Sequence, residues 1–348
     1  MKIKMKVIIN IIFAFFFVIS IANAQTKVIA TTTITADIAK NIVGDKFEII
    51  HIVPVGGDPH LYEPVPQDAQ LVAKADLILV NGLTLEGWLT EFIDNSGTKA
   101  KTVIVSEGVK PVKSEKYNSP DPHAWMTAAN GIIYARNIMK AFVEYAPENK
   151  MEFEANFAKY KRQLEQLEIL IFQEIEKIPE KQRVLITSHD AFQYFGRHYG
   201  IRLESILGTS TDAEAQTADV MRVQKVIKET GVPAVFIEST INPKLLQQIA
   251  TDNNVEIGGE LFSDSLGELG GNGETYLEML KHNAVTISYA LKGDGTEEEL
   301  AQRGIANGDT NEKVAMAKES NRMNWGLVAV IAVFLLGGFG FMYKKMNN

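Results

Sequence analysis

Short apolar runs rich in β-branched residues recur between amphipathic stretches from about residue 25 to residue 292. The first four candidate strands are Val28–Thr33, Phe47–Val55, Leu77–Asn81 and Thr102–Ser106, and the second four are Arg183–Ser188, Ile201–Leu207, Ala234–Glu238 and Val255–Leu261. Helical patterns such as Pro66–Ala73 and Thr217–Thr230 lie between them. Strands that alternate with helices indicate βαβ units. The pattern therefore predicts an α/β protein with two lobes, each a mostly parallel four-stranded sheet flanked by helices.

One long amphipathic helix is predicted between the two sets of strands. Apolar side chains recur at steps of three or four residues through Glu148–Ile178, and neither Gly nor Pro interrupts the pattern before Pro179. At 1.5 Å per residue such a helix would span roughly 45 Å, enough to run along both lobes. We therefore expect a rigid connecting helix at 148–180, which joins an N-terminal lobe at 25–147 to a C-terminal lobe at 181–292.

The N-terminal segment has the pattern of a secretory signal peptide. Residues 1–24 combine a basic start, the apolar run Val7–Ile21 and small residues at Ala22 and Ala24. This order of charged, apolar and small residues is typical of a cleaved signal, and a retained membrane helix is the alternative. We expect an exported protein on the periplasmic or extracellular face.

The C-terminal segment has the pattern of a membrane anchor. Gly326–Tyr343 is uncharged and mostly apolar, and Lys344 and Lys345 follow it. This length just reaches the roughly 20 residues that a bilayer core requires, and the lysines favour a cytoplasmic C-terminus. We therefore predict a transmembrane anchor at 325–345, which a polar tether at 293–324 joins to the folded lobes.

Composition excludes several classes of function. The chain has 348 residues, no Cys and a formal net charge of −8. An acidic protein is a poor partner for nucleic acid. The absence of Cys excludes disulfides, thiolate metal sites, thiol nucleophiles and an N-terminal lipid-modified Cys. No GxxxxGK[ST] motif is present, so the chain does not hydrolyse ATP through a P-loop.

Four potential metal ligands follow predicted strands, one in each quarter of the folded part. His60 follows the second strand, His123 the fourth, His189 ends the fifth, and Asp264 follows the eighth. Ligands of open α/β sheets bind beyond the carboxyl ends of the strands, so these residues are expected to converge in the cleft between the lobes. Three imidazoles and a carboxylate suit a divalent first-row metal.

Several acidic residues compete for a role at this site. Glu238 also ends a strand and is the alternative carboxylate ligand, although a hydrogen bond to a ligand histidine or a cap on a neighbouring element is the preferred interpretation. Asp58 and Asp121 stand in two copies of Asp-Pro-His and could accept from the second ring nitrogen of a ligand, as could Asp190. Surface or packing roles are expected for the remaining histidines, which are His51, His198 and His282.

The motifs GGDPHLYEP, DPHAWM, SHDAFQYF and LFSDSLG together resemble the metal-specific (zinc, manganese or iron) substrate-binding proteins of bacterial ABC transporters. The resemblance covers about residues 26–292 and implies two α/β lobes bridged by one rigid helix. It also implies that His60, His123, His189 and Asp264 are the ligands, and that the metal is delivered to a separate permease powered by a separate ATPase. No enzymatic activity is implied.

This sequence departs from the family pattern at points that bear on the choice of metal. Leu61–Pro122 contains no His, whereas many zinc-specific relatives carry a His-rich loop there, and His189 stands where many manganese-specific relatives have Glu. The transported ion is therefore expected to be Zn²⁺ or Mn²⁺, with Fe²⁺ also possible. We expect a monomer that binds metal and not nucleic acid. A membrane-tethered metallohydrolase that uses the same four residues is the alternative.

Overall fold

The computed structural model describes residues 27–114 and 119–292. The strands of the first lobe are β1 (Lys27–Ala30), β2 (Glu48–His51), β3 (Leu77–Val80) and β4 (Lys101–Ile104). They form one parallel sheet in the order β2-β1-β3-β4, which confirms the predicted four-stranded sheet of this lobe. The predicted apolar run extends beyond β2 because it includes Ile52 and Val53, which are buried although they lie in the loop that leaves the sheet.

The helices of the first lobe are α1 (Thr33–Val43), α2 (Pro66–Ala73), α3 (Leu89–Ser96) and α4 (Ala128–Tyr145). Helix α1 begins where the Thr32 side chain accepts a hydrogen bond from the backbone N–H of Thr35, a typical N-cap. Its side chains Ile34, Ile38 and Ile42 recur every four residues and are buried against the sheet and its neighbours.

The second lobe is also built from parallel strands. These are β5 (Val184–Thr187), β6 (Arg202–Ser205), β7 (Ala234–Glu238) and β8 (Glu256–Leu261). Strand β5 pairs with β6 and β7 with β8, so the lobe holds two two-stranded sheets where one four-stranded sheet was predicted. The β7–β8 register shifts between Val235 and Ile237, an irregularity of the kind that bends and twists a strand.

The helices of the second lobe are α6 (Gln193–Tyr199), α7 (Thr217–Thr230), α8 (Lys244–Asn253) and α9 (Tyr276–Lys292). Helix α9 lies close to β8 because Gly258 has no side chain. A Cβ at that position would lie 2.6 Å from the Cβ of Ala290.

The predicted connecting helix is present as α5 (Lys150–Glu176), which a short 3₁₀ turn precedes. Its 27 residues span roughly 40 Å. It packs against α1 and α4 of the first lobe and against α6 and α9 of the second. Its buried side chains are Phe153, Tyr160, Leu164, Leu167, Ile171 and Ile175. Both lobes therefore pack on the same helix, and one apolar core extends from one lobe into the other.

Tyr276, the first residue of α9, joins that helix to the first lobe. Its hydroxyl donates to the carbonyl oxygens of Trp125 and Thr127 at 2.5 and 3.1 Å, and its backbone N–H donates to Asp37. Gly131 of α4 makes room for the ring, since a Cβ there would lie 2.7 Å from the Tyr276 hydroxyl. These contacts fix the end of the segment that carries Asp264.

The predicted signal peptide (1–24), tether (293–324) and anchor (325–345) lie outside the described residues. Within 27–114 and 119–292, no helix combines the length and apolar character that a bilayer crossing requires.

Candidate metal centre

The four predicted ligands meet at the carboxyl ends of the strands. His60 and His123 lie in the loops after β2 and β4, His189 lies two residues beyond β5, and Asp264 lies three residues beyond β8. One potential ligand atom from each residue lies within 4.8 Å of the others. His123, His189 and Asp264 are almost completely buried, and His60 is partly buried. The convergence expected from strand order is therefore present.

The spacing of the four ligand atoms suits a small cation. The His123 Nε2 lies 3.2 Å from the Nε2 of His60 and 3.3 Å from that of His189. The Asp264 Oδ1 lies 3.3 Å from the His123 Nε2 and 3.9 Å from the His60 Nε2. Ligands about 2.0–2.1 Å from a tetrahedral metal stand roughly 3.3–3.4 Å apart. Most of these separations match that value without any rearrangement.

Asp121 orients the ring of His123. The Asp121 Oδ1 accepts from the backbone N–H of His123 at 2.8 Å and lies 2.7 Å from its Nδ1. A carboxylate that binds Nδ1–H leaves the Nε2 lone pair free for a metal. Asp58 was expected to orient the ring of His60 in the same way. Its Oδ1 instead accepts a hydrogen bond from the backbone N–H of His60, at 2.8 Å. Its other oxygen accepts from the Thr211 hydroxyl of the second lobe at 2.5 Å.

Glu238 lies behind His189, away from the four ligand atoms. Its Oε1 accepts from the backbone N–H of His189 at 2.8 Å, and its Oε2 lies 2.6 Å from the ring Nδ1. Glu238 ends β7 and His189 follows the neighbouring β5, so strand order brings the two together. Asp190, the other acceptor considered, accepts instead from the side chain of Gln193.

The carboxylates give the imidazoles different proton affinities. Burial lowers the pKa of His123, but Asp121 and Asp264 outweigh burial and raise this pKa to about 10. Burial likewise opposes Glu238 and Asp264 at His189, where the net pKa is about 9. Among the described residues no carboxylate binds the Nδ1 of His60, and burial lowers the pKa of His60 to about 3. Asp264 is buried, but the surrounding histidines hold its pKa below the ordinary value.

The donor set has a polar atom that the protein itself does not satisfy. The Asp264 Oδ1 is buried and has no hydrogen-bond partner among the described residues, although it faces the imidazole nitrogens. A buried carboxylate oxygen without a donor costs free energy, and a cation would remove that cost. Three imidazole nitrogens and one carboxylate oxygen suit Zn²⁺ and other divalent first-row ions.

A small cavity gives access to the cluster beside His60. Its volume is about 320 Å³, and residues of both lobes line it, including Thr84 and Leu85 from the first and Thr209 and Asp212 from the second. His60 is the only one of the four candidate ligands that lines this cavity. It is therefore the ligand nearest to the route by which an ion would enter.

The other three histidines lie outside the cluster. His51 contacts the carbonyl oxygen of Val53 through Nδ1, His198 pairs with Glu168, and His282 contacts the carbonyl oxygen of Glu260. The surface and packing roles expected for them agree with these positions.

Sequence reasoning missed two hydroxyl groups at the site. Ser263 and Thr240 both donate to the Asp264 Oδ2, at 3.0 and 3.2 Å. Ser263 adjoins the ligand in sequence, but Thr240 follows β7 and only the fold brings it close. Nothing in the local sequence around Thr240 could have revealed this contact.

A buried group of three imidazoles and a carboxylate at the strand ends of a two-lobed α/β fold is typical of a binding protein for a divalent metal. The family described as zinc-uptake complex component A periplasmic matches residues 28–290. The chain therefore belongs to this family, the metal-specific substrate-binding proteins of bacterial ABC transporters, as the sequence resemblance predicted.

Individual relatives agree with this assignment. The metal ABC transporter substrate-binding lipoprotein FimA of Streptococcus parasanguinis is 37% identical over 279 residues, which cover 78% of this chain and 90% of FimA. The manganese ABC transporter substrate-binding lipoprotein PsaA of Streptococcus pneumoniae shows the same identity and coverage. The solved structure of the periplasmic zinc binding protein TroA from Treponema pallidum has a TM-score of 0.74 and 33% identity, and the match covers 77% of this chain and 99% of that one. Such proteins are binding proteins and not enzymes, which confirms the expectation for this chain, and they give no support to the metallohydrolase alternative.

Proposed function

We propose that this protein captures Zn²⁺ or Mn²⁺ between its lobes and delivers the ion to an ABC permease for import. His60, His123, His189 and Asp264 hold the ion, and Fe²⁺ is also compatible with this donor set. The observation that carries the proposal is the clustering of one potential ligand atom from each of these four residues within 4.8 Å. A separate ATPase powers the permease in this family.

The arrangement favours binding over hydrolysis. A catalytic zinc site keeps a coordination position open for water, whereas this site offers four protein ligands. A hydrolase also needs a general base close to that water. Glu238 also ends a strand at this site, but both of its oxygens face His189 and not the four ligand atoms. Glu238 is therefore not placed to serve a metallohydrolase as that base.

The chain is proposed to act on the periplasmic or extracellular face of the cytoplasmic membrane. FimA and PsaA are lipoproteins by name, whereas this chain has no Cys to carry a lipid. The signal peptide at 1–24 would direct export, and the apolar segment at 325–345 would replace the lipid as anchor. The tether at 293–324 would then hold the two metal-binding lobes, as a monomer, near the permease.

Elemental analysis tests the binding half of the proposal. The purified protein is stripped with a chelator and reloaded from an equimolar mixture of Mn²⁺, Fe²⁺ and Zn²⁺. We expect one equivalent of metal in the wild type, and none in a His60→Ala, His123→Ala double variant. A His51→Ala, His282→Ala double variant is the matched control and should retain the metal. Metal that survives the first pair of substitutions would contradict the proposed site.

Uptake measurements test the transport half. Cells that depend on this protein should accumulate radioactive zinc or manganese, and the His60→Ala, His123→Ala variant should abolish this accumulation. Unchanged uptake by cells that carry a variant unable to bind metal would refute delivery to a permease. The binding result would stand independently.

A further inference from the structure

The two carboxylate oxygens of Asp264 have different surroundings. The Oδ2 accepts two hydrogen bonds, from the Ser263 hydroxyl at 3.0 Å and from the Thr240 hydroxyl at 3.2 Å. In the described part of the chain no hydroxyl or backbone donor reaches the Oδ1, which is also buried and has the ligand histidines as its polar neighbours. Both oxygens lie 3.3 Å from an imidazole nitrogen, the Oδ1 from His123 and the Oδ2 from His189. Proximity alone therefore does not distinguish them, and the hydroxyl donors do.

This asymmetry bears on how many ligand atoms the site offers. A carboxylate oxygen has two in-plane lone pairs, and two donated hydrogen bonds engage both of them. The Oδ1 keeps its lone pairs for a cation. Asp264 arranged in this way offers one oxygen, which gives four ligand atoms together with the three imidazoles.

The other carboxylates near the cluster are engaged elsewhere. Asp58 binds the Thr211 hydroxyl, Asp121 faces the His123 ring, and Glu238 faces the His189 ring. The Asp264 Oδ2 is thus the carboxylate oxygen best placed to become a fifth ligand. Whether it does so depends on the two hydroxyl groups.

We propose that Ser263 and Thr240 are specificity-determining residues that restrict Asp264 to one coordinating oxygen and thereby favour Zn²⁺ over Mn²⁺. Zinc accepts a closed site of four nitrogen and oxygen ligands. Manganese suits sites of higher coordination number with more oxygen ligands. This inference rests on the proposed function, because it assumes that the four residues bind the transported ion.

The test compares the zinc and manganese affinities of the full-length protein with those of a Ser263→Ala, Thr240→Val double variant. Removing both donors frees the Oδ2, so we expect the ratio of zinc to manganese affinity to fall at least tenfold. X-ray absorption of the zinc-loaded protein should show four nitrogen and oxygen neighbours in the wild type and five in the variant.

Two control proteins separate this role from general damage. A Ser263→Thr, Thr240→Ser variant keeps both hydroxyls and should retain the wild-type affinity ratio. Ser239→Ala removes a neighbouring buried hydroxyl that has no hydrogen-bond partner in the described part of the chain, and it should also leave the ratio unchanged. If the double variant does not fold, Ser263→Ala alone serves, with a smaller change in the same direction.

The possible outcomes distinguish the inference from the function beneath it. If both metals bind and the ratio stays constant, the specificity role is wrong and the metal site stands. If both affinities change by one common factor, the hydroxyls only adjust the charge density of the carboxylate, and the inference is again overturned. If the wild type binds neither metal, the proposed function itself fails.

Discussion

Replacing Glu238 with Gln should change the pH dependence of metal binding more than its strength at neutral pH. Glu238 is 2% exposed, and its Oε2 lies 2.6 Å from the His189 Nδ1. Although burial opposes it, Glu238 helps to raise the pKa of His189 to about 9. At pH 7 a proton must therefore leave His189 before a metal binds, which weakens apparent affinity by about 100-fold.

The substitution has two opposing effects, and pH decides which is larger. Loss of a carboxylate behind a ligand histidine weakens metal binding by about 10- to 100-fold. Gln also removes the charge that raises the pKa of His189. Near pH 7 most His189 rings of the variant therefore carry no extra proton that a metal would have to displace. The two effects nearly cancel there. As pH rises toward 9, protons no longer compete with the metal for His189 in the wild type. The weaker metal binding of the variant is then fully visible.

The assay is chelator competition for Zn²⁺ with wild type and Glu238→Gln at several pH values between 7 and 9. We expect the ratio of Kd, variant over wild type, to rise by roughly tenfold per pH unit. His123 keeps Asp121 beside its ring in both proteins, so the substitution acts on the proton of His189 first. Glu260→Gln, which changes a carboxyl outside the four-ligand cluster, is the control. A ratio that is large at pH 7 and constant to pH 9 would refute the assigned role of Glu238.

Three further predictions concern the scaffold. Burial raises the pKa of Asp37 from 3.8 to about 6. The contribution of the protonated Asp37 to the free energy of unfolding is therefore fully present below about pH 3.8, and it is lost as pH rises through 6. Asp37→Asn should remove this loss, by up to about 3 kcal/mol, as thermal unfolding at pH 4 and pH 7 would show. Gly131→Ala should destabilise the protein by about 1–3 kcal/mol because the added Cβ would meet the Tyr276 ring. Gly87→Ala is the control and should not destabilise the protein, because its Cβ would meet no atom within 4 Å. Equal melting temperatures for the two variants would contradict this prediction. Metal should slow hydrogen exchange in residues 261–265, and identical exchange with and without metal would argue against coupling between that loop and the site.

The sequence predicts most of the fold because local signals and tertiary packing agree. The helix over Pro66–Ala73 has the predicted bounds, since Pro66 occupies its first turn and Asp68 binds the backbone N–H of Val65. The helix Thr217–Thr230 also has the predicted bounds, because Gly231 adopts the left-handed conformation that ends it. Division of the second lobe into two strand pairs was not predictable, because it depends on strand register and not on local composition.

The candidate ligands were predictable for a topological reason. Parallel strands place their carboxyl ends at one edge, so residues that follow different strands meet there whatever their separation in sequence. The partners of the ligands were not equally predictable. Asp58 and Asp121 occupy identical Asp-Pro-His motifs, but only Asp121 reaches a ring. The Oδ2 of Asp58 instead accepts from the hydroxyl of Thr211, which is 153 residues away in sequence. No local sequence pattern predicts that contact.

The loop that carries Asp264 is bound to both lobes, so we expect the release of a metal to depend on the contact between them. First-lobe groups hold this loop at three points: the Trp125 indole donates to the Ser263 carbonyl, the Gly56 N–H donates to the Ser265 hydroxyl, and Thr33 accepts from the Leu266 N–H. Separation of the lobes would break these bonds and withdraw Asp264 from the two first-lobe histidines. Of the three candidate imidazole ligands, only His189 would remain on the side of Asp264. Because a lone imidazole and a carboxylate bind a divalent ion far more weakly than four ligands do, we expect a separation of the lobes to release a bound metal.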